Sequence, residues 1–172
     1  MEKLPAQMTV VGISKPGGPE VLLPETRAVP VPGPGEILVK VMAAGVNRPD
    51  VAQRSGAYPP PPGASDLPGL EIAGEVVALG AGAARHKLGD KVMSLVAGGG
   101  YAQYCIAQDA QAMAVPPALS IQEAGAVPAN AEDIQTKLMA QLYGGKSSSS
   151  AATTLDMTSD VELRVEFLLG GR

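Results

Sequence analysis

The 172-residue chain carries 13 Lys and Arg against 17 Asp and Glu, a net charge of −4, with its cations scattered. That balance excludes nucleic acid and an anionic membrane surface as electrostatic partners. Apolar residues make up 45% and charged residues 17%, a globular composition, while aromatics at 3% leave a core of Val, Leu, Ile, Met and Ala.

The single Cys105 precludes an internal disulfide and a Cys-based zinc site. No leader pattern and no apolar run near 18 residues is present, which predicts a cytoplasmic protein. In chain order, Met8–Ile13 and Glu36–Met42 read as strands. A short helix over Pro49–Arg54 follows, with Asn47 in position to cap it or to hold a left-handed loop tip. Asp50 and Arg54 are four apart on that helix, a spacing suited to an ion pair of ~0.3–0.5 kcal/mol. Tyr58 precedes the proline run Pro59–Pro62, where its ring can pack on the prolines or line a cleft.

Strands are predicted again over Glu71–Leu79, Lys91–Val96 and Tyr101–Ile106, separated by Gly- and Pro-rich breakers. His86, between Arg85 and Lys87, reads as surface, and Cys105 as a buried apolar residue. Many short strands with such punctuation predict a mainly β fold, a compact and partly open β-barrel. Helices come next: Ser120–Glu123 is a capping box, and Asn130 caps a second helix whose Ile134, Leu138 and Leu142 share a face. Lys146–Thr154 reads as a flexible linker. Val161–Phe167 alternates as a terminal strand whose partner lies elsewhere in the chain or in another molecule. Gly145-Lys146-Ser147 imitates the end of a phosphate loop, but position 140 is Ala and no strand precedes it.

Several of these segments occur together in one family. Lys15–Leu22, Gly35–Asp50, Gln53–Gly56, Tyr58–Gly63, Gly69–Glu75, Gly98–Tyr104 and Ala126–Pro128 stand in the order found there. The chain resembles the N-terminal half of a medium-chain dehydrogenase/reductase, specifically the zinc-free NADPH-dependent quinone oxidoreductases. The resemblance implies a GroES-like barrel over residues 1–129, a divergent tail over 130–172, and catalysis in a cleft facing a Rossmann domain. Zinc relatives carry Cys and His where this chain has Asn47 and Leu70, so no metal is expected.

By resemblance, Asn47 and Tyr58 are the catalytic residues, and Asn47 also meets the nicotinamide of NADPH. Asp50, Arg54 and Glu71 are structural or substrate-loop residues, with Asp50 and Arg54 positioning the loop and Glu71 paired to a basic group to hold the barrel. The expected partner is a quinone-type small molecule. No G-x-G-x-x-G fingerprint occurs in the chain, and the resemblance ends near residue 129. The expectation is therefore a truncated form with the Rossmann domain missing and little activity alone. The alternative is a non-catalytic GroES-like module that forms a homodimer or associates with a full-length relative.

Overall fold

The computed structural model describes residues 3–128 and the backbone of residues 153–156. The elements are β1 (Gln7–Ile13), β2 (Leu22–Ala28), β3 (Glu36–Val46), α1 (Arg48–Arg54), β4 (Glu71–Leu79), β5 (Lys91–Leu95), β6 (Tyr104–Gln108), β7 (Met113–Ala114), α2 (Ile121–Ala124) and β8 (Thr153–Asp156). They are mainly β, arranged as two open sheets.

β3 organises the larger sheet, whose order is β6-β3-β4-β5-β7 with β8 also on β3. Its apolar residues Ile37, Leu38, Val39 and Val41 and the small residues Ala43, Ala44 and Gly45 bury most of the strand on both faces, with Lys40 exposed. A strand buried on both sides reads as continuous apolar sequence rather than as alternation. One edge of β3 pairs with β4, from Ile37↔Leu79 to Ala44↔Ile72, and two register shifts bend it toward barrel curvature. The other edge pairs with β6 from Glu36↔Gln108 to Lys40↔Tyr104, then with β8 from Ala43↔Asp156 to Val46↔Thr153.

β1 and β2 form a hairpin running from Gln7↔Ala28 to Ile13↔Leu22. It joins the larger sheet through the Val10↔Ala102 bridge, with the Val11 amide donating to the Tyr101 carbonyl at 2.8 Å. Between the layers lie Val11, Ile37, Val39, Val41, Ile72, Val76 and Val92, with Tyr101 as the aromatic member. α2 closes the opposite face through Ala124 against Ala73 and Met93. Its capping box is formed: Ser120 Oγ accepts from the Glu123 amide at 3.2 Å and Glu123 returns to the Ser120 amide at 2.8 Å.

Five strands stand where the sequence placed them, with ends shifted by a few residues. β2 was not among the expected strands; its Pro24, Glu25 and Arg27 are tolerated because its outer edge faces solvent. The linker assignment is corrected at its end, since Thr153 and Thr154 belong to β8. The helix from Asn130, the rest of the linker and the strand Val161–Phe167 lie outside the described residues.

Candidate functional site

At the junction of β3 and α1 the backbone turns at Asn47, extended at φ −119° and ψ 161°, with Pro49 in the first helical turn. Capping is thus the conformation Asn47 adopts, and the left-handed alternative is not. The Asp50 carboxylate folds back onto this junction, its Oδ2 accepting from the Asn47 amide at 2.7 Å. Its Oδ1 accepts from the Gly69 amide at 3.0 Å. Gly69 points its N–H there because its φ is +100°, and a side chain would run into the Gly100–Tyr101 backbone.

Tyr101, 5% exposed, lies beneath, its hydroxyl 3.3 Å from the Gly45 carbonyl and also bonded to Asp50. Glu71 at the start of β4 is fully buried and accepts from Asn47 Nδ2 at 2.7 Å. Its carboxylate occupies the space above Gly45, where any Cβ would collide with it. Two carboxylates and a phenol are therefore packed under one carboxamide. Burial raises the Asp50 carboxyl above its ordinary value, against the pull of its Asn47, Gly69 and Tyr101 donors. Burial, together with the nearby Asp50 and Glu71 charges, raises the Tyr101 phenol far out of reach of titration.

The structure gathers three of the five expected residues: Asn47, Asp50 and Glu71. The Asp50–Arg54 ion pair is corrected. Asp50 turns inward to backbone amides and Tyr101, while Arg54 Nε and Nη1 are buried with no hydrogen-bond partner among the described residues. A buried carboxylate served by fixed backbone donors gains more than an exposed helix pair offers. Tyr58 sits beyond α1 on the proline loop, 43% exposed, and forms no hydrogen bond to the cluster among the described residues. Tyr101, which sequence reasoning passed over, is central. Its signal was the Gly98-Gly99-Gly100 run, which lets the backbone at residue 100 pass against Gly69.

Two further assignments resolve. Cys105 is buried and its thiol is raised to about 12, so it is inert. His86 is not on the surface: its side chain is 8% exposed and Nδ1 lies 2.8 Å from Asp109 Oδ1. Among the described residues no group of three or more His, Cys, Asp or Glu is placed to hold a metal ion. No helix among them is long and apolar enough to cross a membrane.

Residues 33–117 match the alcohol dehydrogenase GroES-like domain. The quinone oxidoreductase of Lama guanicoe is 39% identical over 122 residues, 70% of this chain and 37% of that protein. The chain carries the GroES-like domain of the medium-chain dehydrogenases/reductases. Solved members share its shape. The human synaptic vesicle membrane protein VAT-1 homolog-like protein aligns at TM-score 0.69 and 30% identity, over 77% of this chain and 42% of that one. A mycobacterial protein solved with NADPH aligns at TM-score 0.59 and 36% identity, over 68% of this chain and 35% of that one. This GroES-like domain thus spans well under half the length of the relatives it matches, and within it the Asn47 cluster lies at the end of β3.

Proposed function

We propose that this GroES-like domain forms one wall of an NADPH-dependent quinone oxidoreductase site, with Asn47 as the residue facing the nicotinamide and quinone. The observation that carries this reading is the hydrogen bond from Asn47 Nδ2 to the buried Glu71, which fixes the carboxamide while its second N–H has no acceptor among the described residues. NADPH, when bound, supplies the hydride. A quinone accepting it gathers negative charge on oxygen, and a neutral donor held in place stabilises that charge without reorganising. Asn47 and Leu70 stand where zinc relatives carry thiolate and imidazole ligands, so the polar group at this wall is an amide rather than a Lewis acid. Tyr58 supplies the outer lip of the cleft. Asp50 and Tyr101 hold the backbone from which Asn47 projects.

The pyrophosphate of NADPH needs a glycine-rich turn at a helix N-terminus, and the chain has no such fingerprint. The 172-residue chain alone is therefore a weak catalyst in this reading. The test joins residues 1–129 to the nucleotide-binding part of the Lama guanicoe quinone oxidoreductase and follows NADPH oxidation with an ortho-quinone. Quinone reduction that falls by about 10²-fold in Asn47→Ala, with NADPH affinity kept, is the expected result. A folded chimera that binds NADPH and reduces no quinone sinks the proposal. A second reading, a non-catalytic module that associates with itself or a full-length relative, draws on Val51 and Tyr58, 40% and 43% exposed beside the cap. Sedimentation of the chain alone and with such a relative separates the two.

A further inference from the structure

β3 extends past two of its neighbours. Its ladder with β6 ends at Lys40↔Tyr104 and its ladder with β4 at Ala44↔Ile72, before the strand's own end at Val46. Among the described residues, Gly45 and Val46 find their strand partners in β8, Gly45 opposite Thr154 and Val46 opposite Thr153. Asn47 follows directly as the N-cap of α1. The backbone that delivers the candidate carboxamide is thus carried over its last two residues by β8.

This is also where β3 is least able to hold itself. Gly45 is required there, because the Glu71 carboxylate fills the space that a Cβ would take. A glycine inside a strand has no side chain to pack and keeps the widest choice of backbone angles, so it weakens the strand around it. Asn47 is tied through its side chain to Glu71 and through its amide to Asp50, each at 2.7 Å. Both ties act on Asn47 itself and neither sets the backbone angles of Gly45. The Tyr101 hydroxyl lies 3.3 Å from the Gly45 carbonyl, long for an O–H donor. The ladder with β8 is the constraint that acts on Gly45 and Val46 directly.

β8 is built for that task. Thr153 and Thr154 are β-branched, the class of residue that favours extended backbone. The other end of the strand is anchored as well. Asp156 pairs with Ala43, and α2 lies beside both strands, with Gly125 so close to Ala43 that a Cβ there would run into the Ala43 methyl group.

We propose that β8 is a positioning element of the candidate site: by pairing with Gly45 and Val46 it holds the end of β3, and so keeps the Asn47 carboxamide on Glu71. This rests on Asn47 being the residue that faces nicotinamide and quinone. What it adds is a dependence of that residue on Thr153 and Thr154, which are remote from it in sequence and touch no reacting group in this reading.

The experiment uses the full 172-residue chain and follows by NMR the solvent exchange of the Asn47 side-chain amide beside that of the Val92 backbone amide. Val92 lies on β5, paired with Gly74 and with Ala114, and reports on the sheet as a whole. Successive N–H groups of a strand point to opposite edges. Of Thr153→Pro and Thr154→Pro, one therefore removes a hydrogen bond to β3 and the other an N–H that faces away. The first is expected to speed exchange at Asn47 about tenfold, on the scale of one backbone hydrogen bond, with Val92 unchanged. The second is expected to leave both groups as they are. Thr153→Val and Thr154→Val keep the N–H and the β-branch, and are expected to exchange like the parent chain. The proposal is overturned if neither proline moves Asn47. It is equally overturned if the proline that does so speeds Val92 as much, since β8 then supports the fold and not the site. Exchange at Asn47 is read without NADPH or quinone, so an inactive chimera counts against the chemistry given to Asn47 and leaves this result standing.

Discussion

At the scale of the residue, Asp50 is the group on which the β3–α1 junction depends most directly. Both of its oxygens accept from fixed backbone amides, of Asn47 and Gly69. Asp50→Asn keeps the shape but turns one acceptor into a donor facing a backbone N–H, so one buried amide loses its partner. The expected loss is about 1–3 kcal/mol of unfolding free energy, read as a shift in the urea midpoint. Gly45→Ala acts from the other side, since a methyl group there displaces the Glu71 carboxylate. Its expected cost is about 2 kcal/mol or more, as for other overpacked sites. In the quinone-reducing chimera it also lowers turnover, because Glu71 no longer holds Asn47. A stable Gly45→Ala protein with unchanged activity contradicts both the packing argument and the positioning one.

At the scale of elements, the clasp between the Ala84–His86 turn and the segment after β6 gives the fold a defined acid limit. Burial alone raises the Asp109 carboxyl, but the Arg85 amide, the His86 ring and the Ala84 amide together lower it to about 2. A carboxylate depressed in the folded state contributes stability above its unfolded value near 4. That contribution is lost as pH falls through the folded value, so the window lies between about pH 4 and pH 2. Thermal melts of the chain and of Asp109→Asn are expected to differ at pH 6 and to converge toward pH 2; a gap constant with pH refutes the assignment.

Little of this clasp was legible in the sequence. His86 has charged neighbours on both sides, and its burial is decided by Asp109, which is distant along the chain. The strands were legible wherever an apolar run stood between glycines and prolines, as at Glu71–Leu79. β2 was not, because an edge strand with Pro24 follows solvent rules rather than core rules. In the candidate site, Asn47 came from family likeness and its capping position, Glu71 from family likeness, and Asp50 from a helix spacing to Arg54 that proved not to be its contact. Tyr101 did not, because its value comes from the close approach of Gly69 and Gly100, a tertiary event.

At the scale of the whole molecule, the two sheets meet along β1 and residues 101–103. β3 is the strand with the most neighbours, with β4, β6 and β8 all hydrogen-bonded to it. That arrangement has a consequence for synthesis. Strand pairing between distant segments is slow because the loop must close before any contact rewards it. At roughly 5–20 residues per second, β3 emerges from the ribosome seconds before its partner β6 is made. Until Gln108 has left the tunnel, the nascent chain displays Ile37-Leu-Val-Lys-Val41 with one flank bare. A run of that composition is what sticks to its own kind, so the interval between the two strands is when a holding chaperone matters most.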